Sequence, residues 1–250
     1  MQIVDCHVHI GRWPKWDLHL TLDELRQTMQ EYHYSAAVVI PPLDNGDDPV
    51  RMNLKLQHQV EKSPDLFFFP WIHVEPSGSN EDSLIEYLEE NRKAIHGVKF
   101  HASISQMGIA DQRLHGTLAH LDKEGLPLLY HCGRHPISAS GPIKEIAPSY
   151  PHVPFIVAHL GGNAYDIVVD TLHLFRGDLP PNVYFDTSTA RHPKLLRQAI
   201  ETYGEDRILF GTDLPFTEMT MNWACLEFAG ADKNEKILGG NLLRILGKSS

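Results

Sequence analysis

Short apolar runs alternate along this chain with segments of helical period. The runs are QIVDCHVHI (2–10), AAVVIPP (36–42), LFFFPWIHV (66–74), HGVKFH (96–101), LPLLYHC (126–132), VPFIVAHLG (153–161), NVYFDTST (182–189) and RILFGTD (207–213). Their length and their β-branched and aromatic content predict eight buried strands. Between them, apolar residues recur at spacings of three and four. Leu22, Leu25 and Met29 predict a helix behind Thr21 as N-cap, with Glu24 placed to complete a capping box. Met52, Leu56 and Val60 predict a second helix, Leu84, Ile85 and Leu88 a third, and Leu114, Leu118 and Leu121 a fourth. Residues 142–149 and 163–175 supply the fifth and sixth, Leu195 to Tyr203 the seventh, and Leu238 to Leu246 closes the chain. Eight strands alternating with helices over 250 residues predict one α/β domain spanning 1–250, a single (β/α)8 TIM barrel, regular or distorted. A doubly wound sheet fits less well, because no Gly-x-Gly-x-x-Gly follows any predicted strand.

Composition excludes several partners. The net charge is −10, and the 22 Lys and Arg residues are scattered, which argues against nucleic acid. No stretch approaches the roughly 18 apolar residues of a membrane helix. The N-terminus lacks the basic and apolar regions of a signal peptide. Cys6, Cys132 and Cys225 lie far apart and are odd in number, so neither a disulfide framework nor a Cys-x-x-Cys zinc site is implied. A reducing, cytoplasmic location is the expectation.

The chemistry concentrates where a barrel would use it. Strands buried on both faces should be apolar throughout, yet these end in ionisable groups: His7 and His9, His73, Lys99 and His101, His131, His159, Asp213. Six of the 16 histidines therefore fall at predicted strand ends, the face that carries barrel active sites. In a regular strand Ile3, Asp5, His7 and His9 share one face and Val4, Cys6, Val8 and Ile10 the other. Two imidazoles so placed can reach one ion. The spacing alone is weak, since roughly one His-x-His is expected by chance at this histidine content; the other strand-end groups give it its context. Arg12, Trp13 and Trp16 follow the first strand, Arg134 and His135 the fifth, and Arg191 the seventh. With Trp71, His73 and His101 they are the candidate walls of a pocket for a small organic acid. An Arg fork suits a carboxylate, and an aromatic ring supplies a flat apolar wall.

The pieces DCHVH (5–9), GVKFH (97–101), His131, AHLGG (158–162), FGTDLP (210–215) and GGNLLRIL (239–246) occur in an order that resembles the amidohydrolase superfamily, closest to its amidohydrolase-2 branch. The resemblance spans nearly the whole chain. It implies a divalent ion, zinc in the first place and manganese as the alternative, held by His7, His9, His131 and Asp213. It also implies His159 beside that ion, with a second ion on His159 and Lys99 as a variant arrangement. Catalysis would fall to Asp213, as proton acceptor and donor, and to His159, as polariser of a carbonyl or stabiliser of an oxyanion. The implied reaction is hydrolysis of an ester, lactone or amide bond in a small acid, with homo-oligomers known among relatives. Non-oxidative decarboxylation of an aromatic or unsaturated acid is the alternative; decarboxylases of the branch are usually longer, which favours hydrolysis. A barrel that has lost catalysis and only binds is the third reading, disfavoured because every ligand is present.

Overall fold

The computed structural model describes residues 2–43, 47–75 and 77–248. Eight parallel strands lie within the eight apolar runs: β1 (Val4–His9), β4 (Ala36–Ile40), β5 (Leu66–Phe68), β6 (Val98–Phe100), β7 (Leu128–Tyr130), β8 (Phe155–Val157), β9 (Val183–Asp186) and β10 (Ile208–Leu209). Two further strands, β2 (Gly11–Trp13) and β3 (Leu18–Leu20), pair antiparallel as a hairpin that the apolar pattern does not reveal.

Regular ladders link β1, β4 and β5 in one arc and β6 through β10 in another. Backbone bonds close both gaps. His96 N–H donates to Phe68 O (3.0 Å), Lys99 N–H to Pro70 O (2.8 Å) and Ile72 N–H to Lys99 O (2.9 Å). On the other side Cys6 N–H donates to Phe210 O (2.9 Å), Asp213 N–H to His7 O (2.7 Å) and His9 N–H to Leu214 O (2.8 Å). The result is a closed (β/α)8 barrel, which leaves none of its eight strands with an open edge.

The helices follow the predicted stripes. The first, Leu22–Glu31, carries the expected capping box between Thr21 and Glu24. The helix Met219–Ala229 is additional. Its sequence, MTMNWACLEFA, has apolar residues on every side, so no stripe marks it. Trp223 of this helix packs on Phe210, whereas Phe228 is exposed.

Two apolar layers result. Val4, Cys6, Val38, Ile40, Phe67, Phe69, Leu129, Ile156 and Leu209 fill the barrel interior, and the opposite strand faces pack beneath the helices. β1 departs from simple alternation here. Val4 pairs with Ala36 and Asp5 with Ala37, but Val8 pairs with Val39 and His9 with Ile40. Three steps along β1 match two along β4, so a β-bulge inserts one residue. Val4 and Cys6 therefore lie inside while Val8 and Ile10 lie outside. Asp5 correspondingly leaves the face that His7 and His9 share, which corrects the expectation from regular pleating. The bulge brings β1 very close to Gly211 of the chain leaving β10. A Cβ there would lie 2.9 Å from Cys6 Sγ and 3.2 Å from His7 Cβ.

Candidate metal centre

The C-terminal ends of β1 and β10 present three donors to one point. His7 Nε2 and His9 Nε2 are 3.2 Å apart, and Asp213 Oδ1 lies 3.3 Å from each. Two nitrogens and a carboxylate oxygen facing one another this closely, with His7 and His9 buried, have the chemistry of a cation site. Zinc bonds these atom types at about 2.0–2.1 Å, and the edge of such a tetrahedron is about 3.3 Å. The spacing of the donors thus fits a divalent ion, provided that the Lys99 amine, 2.8 Å from His7 Nε2, gives up that lone pair. Burial, and after it the Lys99 charge, pushes the His7 imidazole down to about 3. Burial also holds His9 well below its ordinary value. Both rings are neutral at neutral pH, the form that ligates metal.

His7 is oriented from behind. Its Nδ1–H donates to Asp186 Oδ2 (2.9 Å), which fixes the tautomer and turns the Nε2 lone pair toward His9 and Asp213. Burial alone would raise the Asp186 carboxyl, but His7, His159 and Ser188 outweigh it and hold it well below the usual range. Neither Asp186 nor Ser188 was singled out by sequence reasoning. The available signal was an acid ending the otherwise apolar run VYFD.

The other predicted residues separate into those near this point and those away from it. His131 does not join the three donors. Its Nδ1 faces His159 Nε2 at 3.2 Å, and its ring stacks on His101 with centroids 3.7 Å apart. His159 stacks on His7 at 5.3 Å. Lys99 Nζ lies 2.8 Å from His7 Nε2, and burial pushes its amine down to about 8 against the pull of Asp213 and Asp186. Trp71 stacks on His9, and its indole N–H donates to Pro41 O (2.8 Å). Trp13 is buried edge-on to His9 and to Phe216. His73 stands further out, half-buried against Ser105 Oγ (3.1 Å), beside a cavity of about 500 Å³ lined also by Trp71 and Glu75.

The three arginines are not in the cluster. Hairpin alternation that turns Trp13 inward turns Arg12 outward, where it lines a groove of about 970 Å³ with Asp17, Arg26 and Lys55. Arg134 pairs at the surface with Asp166 (3.4 Å). Arg191 is exposed beside a cavity of about 220 Å³ that Pro215 and Phe216 also line.

Backbone strain gathers at the same place. His159, Leu160 and Asp213 have φ of 60°, 53° and 65°, a left-handed conformation costing of order 1–3 kcal/mol per non-glycine residue. Buried hydrogen bonds offset it: His159 N–H donates to Asp186 Oδ1 (2.7 Å), and Asp213 N–H to His7 O (2.7 Å).

Comparison with known proteins agrees with this architecture. Solved structures of the same fold include an amidohydrolase from Burkholderia multivorans with bound zinc, at 16% identity, 100% coverage of both chains and a TM-score of 0.78. They also include 5-carboxyvanillate decarboxylase from Sphingomonas paucimobilis, at 13% identity, 99% coverage of both chains and a TM-score of 0.72. A third is 2,6-dihydroxybenzoate decarboxylase from Rhizobium, at 16% identity, 99% coverage of both chains and a TM-score of 0.72. No curated protein matches the sequence. Among the described residues, no helix is long and apolar enough to cross a membrane. The family model described as "Amidohydro_2: Amidohydrolase" matches residues 4–248, and the chain belongs to that amidohydrolase family.

Proposed function

We propose that the protein is a metal-dependent hydrolase that opens an ester, lactone or amide bond of a small organic acid. The observation that carries this reading is the convergence of His7 Nε2, His9 Nε2 and Asp213 Oδ1 within 3.3 Å of one another. These three would hold one divalent ion, zinc first by donor type. Bound there, the ion would supply Lewis acidity to acidify water and polarise an acyl oxygen.

This chain's residues would do the rest. The Asp213 side chain is 12% exposed while His7 is fully buried, so its carboxylate faces the open side of the cluster. It would take a proton from water and return it to the leaving group. The second histidine pair, His131 and His159, stands next to the cluster for a further proton transfer. Trp13, Trp71 and Phe216 would exclude water and form the walls against the acid's apolar part.

The flat faces of Trp71 and of the stacked His101–His131 pair favour a second reading, decarboxylation of an aromatic acid. The test is metal content by mass spectrometry, beside a His7→Ala/His9→Ala control, followed by ester, lactone and hydroxybenzoate panels. About one zinc or manganese per chain, lost in the control, with ester or lactone turnover, is expected. Carbon dioxide release without ester or lactone activity would replace hydrolysis by decarboxylation. No metal after incubation with zinc and manganese would overturn both readings.

A further inference from the structure

Behind the three donors, Asp186 and Ser188 at the end of β9 meet two imidazoles at once, and both are fully buried. Four donors converge on the Asp186 carboxylate. Oδ2 accepts His7 Nδ1–H (2.9 Å); Oδ1 accepts the His159 amide (2.7 Å), the Ser188 amide (3.0 Å) and the Ser188 hydroxyl. The hydroxyl proton is thereby committed to Asp186. Ser188 Oγ then faces the rings with lone pairs only, 2.8 Å from His159 Nδ1 and 3.1 Å from His7 Nδ1. The Ser188 carbonyl oxygen, which can only accept, lies 3.3 Å from the same His159 Nδ1.

We propose that Ser188 is a positioning residue that carries the hold of Asp186 across to His159, fixing His159 as the Nδ1–H tautomer with its Nε2 lone pair turned toward His131. The consequence for chemistry rests on the functional reading above; the tautomer itself is a property of the chain without any ligand. A neutral His159 in this form presents an acceptor at Nε2, so it takes a proton before it can give one. It serves as a base, and it can donate to an oxyanion only after protonation. Across 3.2 Å, His131 Nδ1 must then be the donor. His7, His159 and Asp186 are also close enough together to suggest a second cation site. The proton inventory opposes this, because an ion there would have to strip both Nδ1 protons and displace the Ser188 hydroxyl.

Histidine side-chain ¹⁵N NMR with chelator present reads the tautomers directly, in the wild-type protein and in Ser188→Ala. In the wild type, His7 and His159 should both show a protonated, pyrrole-type Nδ1. In Ser188→Ala the carbonyl at 188, 3.3 Å away, is the acceptor left for His159 Nδ1, so the Nδ1–H signature should weaken and an Nε2–H population appear, while His7, still bonded to Asp186 Oδ2, keeps its own and serves as the internal control. An Nε2–H His159 in the wild type overturns the proposal, and so does a His159 unchanged by Ser188→Ala. The expected pattern in a protein that binds no metal would sustain the relay while the functional reading failed.

Discussion

Asp5 lies at the seam where β1 meets β10, and it offers a test of what burial does to a carboxylate. Its Oδ1 accepts the amides of His7 (3.0 Å) and Thr212 (3.1 Å), and its Oδ2 accepts the Thr212 hydroxyl (2.6 Å). Burial raises its carboxyl from 3.8 to about 7, because these hydrogen bonds only partly replace lost water. A rise of about three pH units corresponds to roughly 4 kcal/mol. Between about pH 4 and pH 7 the folded chain keeps a proton that the unfolded chain has released. This group's contribution to stability therefore falls as pH rises, and the cost is complete above about pH 7.

Asp5→Asn keeps the size and removes the charge. Its Oδ1 can still accept both amides, and its Nδ2 can donate to Thr212 Oγ1, whose proton then turns to the His7 carbonyl 3.5 Å away. With chelator present, urea unfolding from pH 4.5 to 8.5 should show a gap of only about 1 kcal/mol at the acid end, because pH 4.5 lies just above the unfolded carboxyl's 3.8. The variant should gain by up to roughly 4 kcal/mol at the basic end. A gap that stays constant with pH, or a variant less stable at pH 8, would mean that the carboxylate is ionised and stabilised by its hydrogen bonds, with burial the smaller effect.

Other consequences are separable. Asp186→Asn places an amide among four donors, so zinc affinity by competition with a chelating dye should fall about 10–100-fold; unchanged affinity would mean that His7 needs no support. Gly211→Ala pushes a methyl toward Cys6 Sγ and His7 Cβ, and should cost ~1–3 kcal/mol by denaturant unfolding while also weakening metal binding. Unfolding that matched the wild type would show that the bulge yields freely. Trp13→Ala removes the hairpin's buried indole and should lower stability by ~3 kcal/mol, with a raised KM on the panel substrate; an unaltered KM would remove Trp13 from the pocket wall.

Much of this protein was legible in its sequence, because much of it depends on local rules. The eight apolar runs locate the eight barrel strands, since burial on both faces demands continuous apolarity over each short segment. Strand-end polarity located His7, His9 and Asp213, because an ionisable group in such a run is too costly to keep without partners. The capping box at Thr21 and Glu24 is likewise a property of four adjacent residues.

What the sequence could not decide depends on pairing across distance. The bulge in β1 arises from register against β4 and β10, so Cys6 turns inward and Asp5 bonds Thr212, 207 positions away. Asp186 and Ser188 sit beside His7 only because β9 lies next to β10, whose continuation meets β1 where the barrel closes. The acid that ends the run VYFD sets Asp186 apart in the sequence, but nothing within VYFDTST says which imidazoles it meets. Arg12 looked like a pocket residue by its position after β1, but the hairpin's two-residue alternation turns it outward. Periodicity is written in neighbours along the chain; register, ring tautomers and the direction of a loop side chain are set by groups that only folding brings together.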